Sequence, residues 1–155
     1  MTECRSIQLE DDMSTERNVE ACRRLIEVGF SQGDVSVVRE VVAADCIEHQ
    51  RSLKPGAAGT EAAIRTLHEW FSDFALIIEE ITAAGDLVWL RNRAHGTNTG
   101  SVMGHPPTGR SMETDVIDVV RMVDGMIVEH WGVPDQLGLL LQLGLLPKRE
   151  PAAVG

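Results

Sequence analysis

The sequence predicts a single-domain α+β fold, with helices first and an antiparallel sheet after them. Three observations carry this. Up to Phe74 the apolar residues recur every three or four positions, as they do along one face of a helix. Beyond Phe74 the period falls towards two, the spacing of strands that bury one face. Helical and strand segments do not alternate, and a parallel sheet needs that alternation for its crossovers. With 155 residues, 43% hydrophobic and 25% charged, the chain can bury one core; disordered, collagen-like and disulfide-scaffold classes are excluded.

Residues 1–13 (MTECRSIQLEDDM) are acidic and lack an apolar run, so they are expected as a loose tail and not as a signal peptide. Residues 14–146 form the expected domain, and residues 147–155 (PKREPAAVG) a second tail. Ser14 offers an N-cap, and Val19, Cys22, Ile26 and Phe30 follow at helical spacing up to Gly29–Gly33. Asp34 caps a shorter helix that carries Val37, Val38, Val41 and Val42 and ends near Asp45. The run CIEHQRSLKPGAAG is read as an irregular connection, after which Thr60 caps a third helix with Ile64, Leu67, Phe71 and Phe74 on its stripe. Four strands are then expected: ALIIEEIT, LVWLRNRAHGTNT, ETDVIDVVRMV and MIVEHW. A Gly/Pro loop, GSVMGHPPTGR, separates the middle two, and the leucine-rich helix DQLGLLLQLGLL closes the domain.

The composition narrows the function classes. A formal net charge of −10 repels phosphate backbones, so no nucleic-acid partner is expected. No uncharged apolar run reaches membrane-spanning length, so no membrane partner is expected either. Cys4, Cys22 and Cys46 are too few and too scattered for a metal or disulfide framework, and read as reduced thiols of a cytoplasmic protein. HExxH, CxxC, EF-hand, Walker and strand-borne GxGxxG patterns are lacking, as is a Gly-x-Ser-x-Gly elbow. No metal and no cofactor are expected, and proton-transfer chemistry in an apolar pocket is what remains.

The final hairpin concentrates the candidate residues. A two-residue turn at Asp124-Gly125 pairs Val123 with Met126, whereas a three-residue loop pairs Met122 with Met126 and Asp118 with His130. A slip of one residue exchanges the two faces of a strand. The three-residue loop gives the cleaner separation, with Val116, Asp118, Val120, Met122, Met126, Val128 and His130 on one face. An isolated Asp–His pair in an apolar lining is a candidate general acid/base site, its bland alternative being a structural hydrogen bond. Trp131, Glu129 and Arg121 then face outward. Glu48 and His49 lie on the irregular stretch, where binding groups gather. His95 shares strand parity with Trp89, Arg91 and Arg93, and Trp89 offers aromatic surface for a planar ligand. Asp135 is expected as an N-cap, and His68 and His105 as packing and loop residues.

The run from Gly100 to Arg110 (GxxxGxPPTGR), then VVRMVDGMIVEHW, then PDQLGLLLQLG, resembles the SnoaL-like polyketide cyclases and predicted ester cyclases. NVEACRRLIEVGFSQGD and VVAADCIEH fit the same family, so the resemblance covers about Asn18 to Gly144. It implies a nuclear-transport-factor-2-like cone, a curved antiparallel sheet and three N-terminal helices around a deep pocket. It further implies intramolecular aldol ring closure of an aromatic polyketide ester without metal or cofactor, an Asp acting as acid/base. In the anthracycline cyclases that Asp lies two residues after the hairpin histidine, where this chain has Gly132; a His on the penultimate strand is replaced by Asp118.

The expected function is a cofactor-independent enzyme acting on a bulky apolar or aromatic carbonyl or ester. Asp118 removes a proton alpha to the carbonyl, His130 holds it, and His49 or Glu48 binds the developing oxyanion. His95, Val116, Val120, Val128 and Trp89 are the expected substrate contacts. The alternatives are a binding module using the same pocket, or a family member with a different reaction such as hydroxylation or dehydration. Leucine all round the closing helix predicts a homodimer with that segment at or near the interface, or an apolar lid over the pocket.

Overall fold

The computed structural model describes residues 2–146; Met1 and the expected tail 147–155 lie outside the described residues. Helix α1 spans Thr2–Arg24 and runs into a π-helical turn, Leu25–Phe30. It starts well before Ser14, because neither proline nor glycine interrupts residues 2–24 and nothing stops the helix from extending through the expected tail. Gly29 keeps the π turn close to the core, since a Cβ there would fall 3.2 Å from Val37 and 3.5 Å from Ile64. Asp34 caps a 3₁₀ turn, Val35–Val37, with its side chain accepting from the Ser36 amide. A single turn of helix, α2 (Val38–Val41), follows.

The chain then departs from the sequence expectation. Val42–Glu48 is a strand, β1, not the end of a helix and the start of a loop. Helix α3 runs Gly56–Trp70, starting before Thr60. Four strands follow: β2 (Ala75–Ala84), β3 (Leu87–Thr97), β4 (Ser111–Val123) and β5 (Met126–Pro134). Helix α4 (Gln136–Leu143) closes the described chain, with the Asp135 carboxylate capping it through the Gly138 amide at 2.9 Å and Gly144 ending it at φ 74. Asp135 is thus the N-cap expected.

The five strands form one sheet in the order β1-β5-β4-β3-β2. Strands β2 to β5 are the antiparallel meander expected, but β1 pairs with β5 in parallel. The expected all-antiparallel sheet is corrected in this one edge. The helices cover one face, where Val38, Ile64, Phe71, Val88, Leu90 and Leu143 build the core. The other face carries ion pairs and half-exposed aromatics.

The β4–β5 hairpin corrects the expected register. Asp124 (φ 51) and Gly125 (φ 77) form a two-residue turn in the left-handed region, and Val123 faces Met126. Met122 then pairs with Ile127 but Arg121 with Glu129, so Val128 is the extra residue of a bulge. Beyond it Val120 faces His130 and Asp118 faces Gly132. The bulge adds a second one-residue shift to that of the turn, and two shifts restore the faces, so Asp118 and His130 share the inner face as expected, set diagonally and not opposite.

Candidate active site

The inner face of the sheet, α1, α3 and α4 enclose a cavity of about 670 Å³. Its lining is mostly apolar, with Leu25, Leu67, Leu90, Val116, Val120 and Leu139 among its walls. That volume lies within the range of pockets that bury a small-molecule ligand. The lining is interrupted at Asp118 and His130, which project from neighbouring strands into the same space.

These two belong to a hydrogen-bonded chain that crosses three strands and the exit of β1. Asn92 on β3 donates Nδ2 to Asp118 Oδ2 at 2.7 Å. His130 Nε2 donates to Asp118 Oδ1 at 3.1 Å, and its Nδ1 to Glu48 Oε2 at 2.8 Å. The Gln50 backbone N–H donates to Glu48 Oε1 at 2.7 Å, which fixes that carboxylate from behind. Glu48 is 7% exposed, Asp118 13% and His130 18%, so the group is largely withdrawn from water.

The charge state follows from these contacts. Burial opposes a charge on His130, but the hydrogen bonds to Asp118 and Glu48 and the charges of both outweigh it and raise the imidazole from 6.5 to about 9. His130 is therefore an imidazolium at neutral pH, with both ring N–H groups donating to carboxylates. It orients and neutralises Asp118 and has no free lone pair with which to act as a base. Cys22 lines the same cavity, but burial first and the Asp118 charge second push its thiol up to about 12, which leaves it inert.

Gly132 matters by what it lacks. A Cβ there would fall 2.8 Å from His130 Cε1 and 3.0 Å from Asp118 Oδ1, and would collide with Gln50 Oε1. Asp118 and Gln50 thus converge on the space that a side chain at position 132 would enter. Gln50 lines the cavity.

Several expected contacts lie elsewhere. His49 sits on the outer face, stacked on Trp131 with ring centroids 4.8 Å apart and bonded to Glu129 Oε1 at 2.9 Å. It does not line the cavity and is corrected as an oxyanion donor. Glu48 lies behind His130 and acts on it, so direct substrate contact by Glu48 is corrected too. Trp89 pairs with Val119 on the outer face at 47% exposure, and His95, of the same parity, pairs with Glu113 there. Strand alternation puts both on the wrong side for the pocket. Val128 is displaced by its bulge, and Ile127 takes the inward place beside Val116 and Val120. Arg121 and Glu129 face outward as expected, bonded at 3.1 Å.

Asn92 and Gln50 were missed. Asn92 shares parity with Val88, Leu90 and Ala94, and a lone amide on that apolar face was a legible signal. Gln50 had none, because its direction depends on β1. Among the described residues no cluster of histidine, cysteine and carboxylate side chains is arranged to hold a metal, and no helix is long and apolar enough to cross a membrane.

Residues 20–143 match the family described as SnoaL-like polyketide cyclase. The aklanonic acid methyl ester cyclase of Streptomyces peucetius is 32% identical over 139 residues, covering 85% of this chain and 92% of its own. The nogalonic acid methyl ester cyclase of Streptomyces nogalater is 31% identical over 120 residues, covering 74% of this chain and 89% of its own. Among solved structures, IdmH of Streptomyces antibioticus, a candidate polyketide cyclase, superposes with a TM-score of 0.70 at 32% identity over 82% of this chain and 98% of its own. AclR of Streptomyces galilaeus, a candidate hydroxylase, gives 0.76 at 27% identity over 86% and 89%. Fold, cavity and sequence converge: the chain belongs to the SnoaL-like polyketide cyclase family, on its curved α+β fold.

Proposed function

We propose that the protein is a cyclase that closes a ring in a bulky, mostly apolar polyketide ester by intramolecular aldol chemistry, with Asp118 as its acid/base. The observation that carries this is the carboxylate of Asp118, held by Asn92 and the His130 imidazolium and presented to the apolar cavity. The names of the relatives, methyl ester cyclases, support the substrate class.

Asp118 takes a proton from the carbon alpha to a substrate carbonyl. The enolate carbon then bonds to a second carbonyl carbon of the same molecule, and the alkoxide so formed takes the proton back from Asp118. Nothing is lost, so the reaction is an isomerisation that moves one proton and forms one carbon–carbon bond, and it calls for no redox or group-transfer cofactor. His130 lowers the cost of two nearby carboxylates by standing between them as a cation. Gln50 lines the cavity near Asp118; its Nε2, which donates one hydrogen to Ser52 Oγ at 3.0 Å, has a second to offer the developing oxyanion, the role first expected of His49 or Glu48. Gly132 is explained in the same reading: the carboxylate comes from β4, not β5, and reaches the same space.

Turnover of an anthraquinone-type polyketide methyl ester, followed by chromatography and mass spectrometry, tests this with Asp118→Asn. A fall of about 10²–10⁴-fold is expected. Turnover within a few-fold of the parent would remove Asp118 from the reaction. A binding-only protein would show no turnover in the parent and unchanged ligand affinity in the Asp118→Asn, His130→Gln double variant.

The assembly we propose is a homodimer. The outer face of the sheet leaves Ile77, Trp89, Ile117 and Val133 between 42% and 68% exposed, an apolar area that a second copy would cover. The leucine helix divides its work, Leu139 facing the cavity and Leu143 the core while Leu137 stays 62% exposed beside the sheet.

A further inference from the structure

Asn92 is 0% exposed, yet only one end of its amide is used. Nδ2 donates to Asp118 Oδ2 at 2.7 Å, while Oδ1 has no hydrogen-bond partner among the described residues. An unpaired buried carbonyl oxygen is costly and calls for an explanation. Its strand neighbours give none. Asn92 lies on β3 between Leu90 and Ala94, opposite Val116 on β4 and Ile78 on β2. Two ionisable groups on other elements also face Asp118, the His130 imidazolium on β5 and the Cys22 thiol on α1.

The explanation lies in what Asp118 must do if it is the acid/base. As a carboxylate it accepts hydrogen bonds and matches an amide N–H. Once it has taken the substrate's proton it is a carboxylic acid, and an amide N–H aimed at the new O–H is a mismatch. His130 cannot adjust, because both its ring nitrogens already donate to carboxylates. Asn92 can. Its terminal torsion is soft and roughly two-fold, and a half-turn exchanges Nδ2 for Oδ1 in front of Asp118. That turn breaks only the bond that protonation has already spoiled, because Oδ1 has no other partner to lose.

We propose that Asn92 is a positioning residue whose side-chain amide turns over with the protonation state of Asp118, donating to the carboxylate and accepting from the acid. The proposal rests on Asp118 being the acid/base. It states how that one group is held in both states of the cycle. The proton itself passes between substrate and Asp118 only.

Neutron diffraction on deuterated crystals of the parent protein reads the amide directly and needs no substrate. At neutral pH the Asn92 deuterons are expected to point at Asp118. In a crystal soaked at a pH low enough for a deuteron to appear on Asp118, they are expected to point away, with Oδ1 accepting. Deuterons directed at Asp118 in both crystals would overturn the proposal. Kinetics give a second readout through Asn92→Val, which suits a strand and removes donor and acceptor together. A fixed donor stabilises only the carboxylate, so its loss moves the acid limb of the pH–rate profile upward. A two-way amide serves both states, so its loss leaves the limb in place, and the fall in the plateau, about tenfold, comes only from Asp118 being held less well for the transfer. An upward-moving limb counts against the proposal. Undiminished turnover in Asp118→Asn would instead sink the acid/base reading, and the neutron result would still decide what Asn92 does.

Discussion

Two histidine–glutamate pairs lie side by side on opposite faces of the sheet. Glu48 and His49 are consecutive where β1 ends, Glu129 and His130 are consecutive on β5, and the pairs cross: Glu48 bonds His130 inside at 2.8 Å, His49 bonds Glu129 outside at 2.9 Å. The residue types and bond lengths are alike, yet the inner pair is 7% and 18% exposed and the outer 21% and 41%. The inner histidine also has a second carboxylate, Asp118, on its other nitrogen. The outer one stacks on Trp131, while Arg121 shares its glutamate. A histidine–carboxylate pair is therefore not a site in itself. Removal from water, a second carboxylate on the histidine and an opening onto a cavity make one.

The largest effect that separates the two pairs is chemical. Asp118→Asn is expected to lower turnover about 10²–10⁴-fold, and no substitution of the outer pair is expected to approach that. Next comes the inner histidine's charge. Its value of about 9 in the folded protein stands above the 6.5 of the unfolded chain. The stabilisation from that charge is thus fully present below pH 6.5 and is lost as pH rises through 9, with an upper bound on the order of 3 kcal/mol at low pH. Thermal melts of the parent between pH 6 and 10 are expected to show this decline. In Glu48→Gln, which removes one of the two carboxylates, the decline is expected to shrink and to end at lower pH; an unchanged curve would show that Glu48 does not hold the charge.

The contrast also explains what the sequence could tell. Helix-period residues before Phe74 and strand-period residues after it were enough for the α+β class, the meander and the cap at Asp135. The inner placement of Asp118 with His130 was legible too, because strand parity survives a two-residue error in register. The turn type and bulge were not: Asp124-Gly125 suits either loop, and nothing in the string MIVEHW marks Val128 as the extra residue. Strand β1 was hidden because VAADCIE lacks strict alternation and pairs in parallel with a strand far along the chain. With β1 unseen, Glu48, His49 and Gln50 could not be assigned to faces, and the oxyanion role was given to His49 or Glu48.

Assembly bears on the outer pair next. If a second copy covers the outer face, sedimentation equilibrium at micromolar protein gives twice 17.0 kDa, and Trp89→Lys, which puts a charge on that face at a 47% exposed position, shifts the mass towards the monomer. A clean 17.0 kDa species for the parent would rule the dimer out.

The smallest effect is expected from His49→Gln. The His49 hydrogen bond, and after it Arg121, hold Glu129 below the ordinary carboxylate value, so Glu129 is already a settled anion with a second cation to bond. Losing His49 leaves that anion paired with Arg121 at 3.1 Å and open to water on its remaining side. No buried group is orphaned, and exposed ion pairs of this kind add little to stability. The stacking partner Trp131 keeps Arg121, whose guanidinium carbon lies 6.0 Å from the ring centre. Melting temperature is therefore expected to stay within the scatter of repeated measurements, and kcat/KM within about threefold of the parent. A fall comparable to that of Asp118→Asn would place His49 in the chemistry after all. That would require the β1 exit to turn its imidazole through the sheet edge into the space Gln50 now fills, where a side chain on Gly132 already has no room.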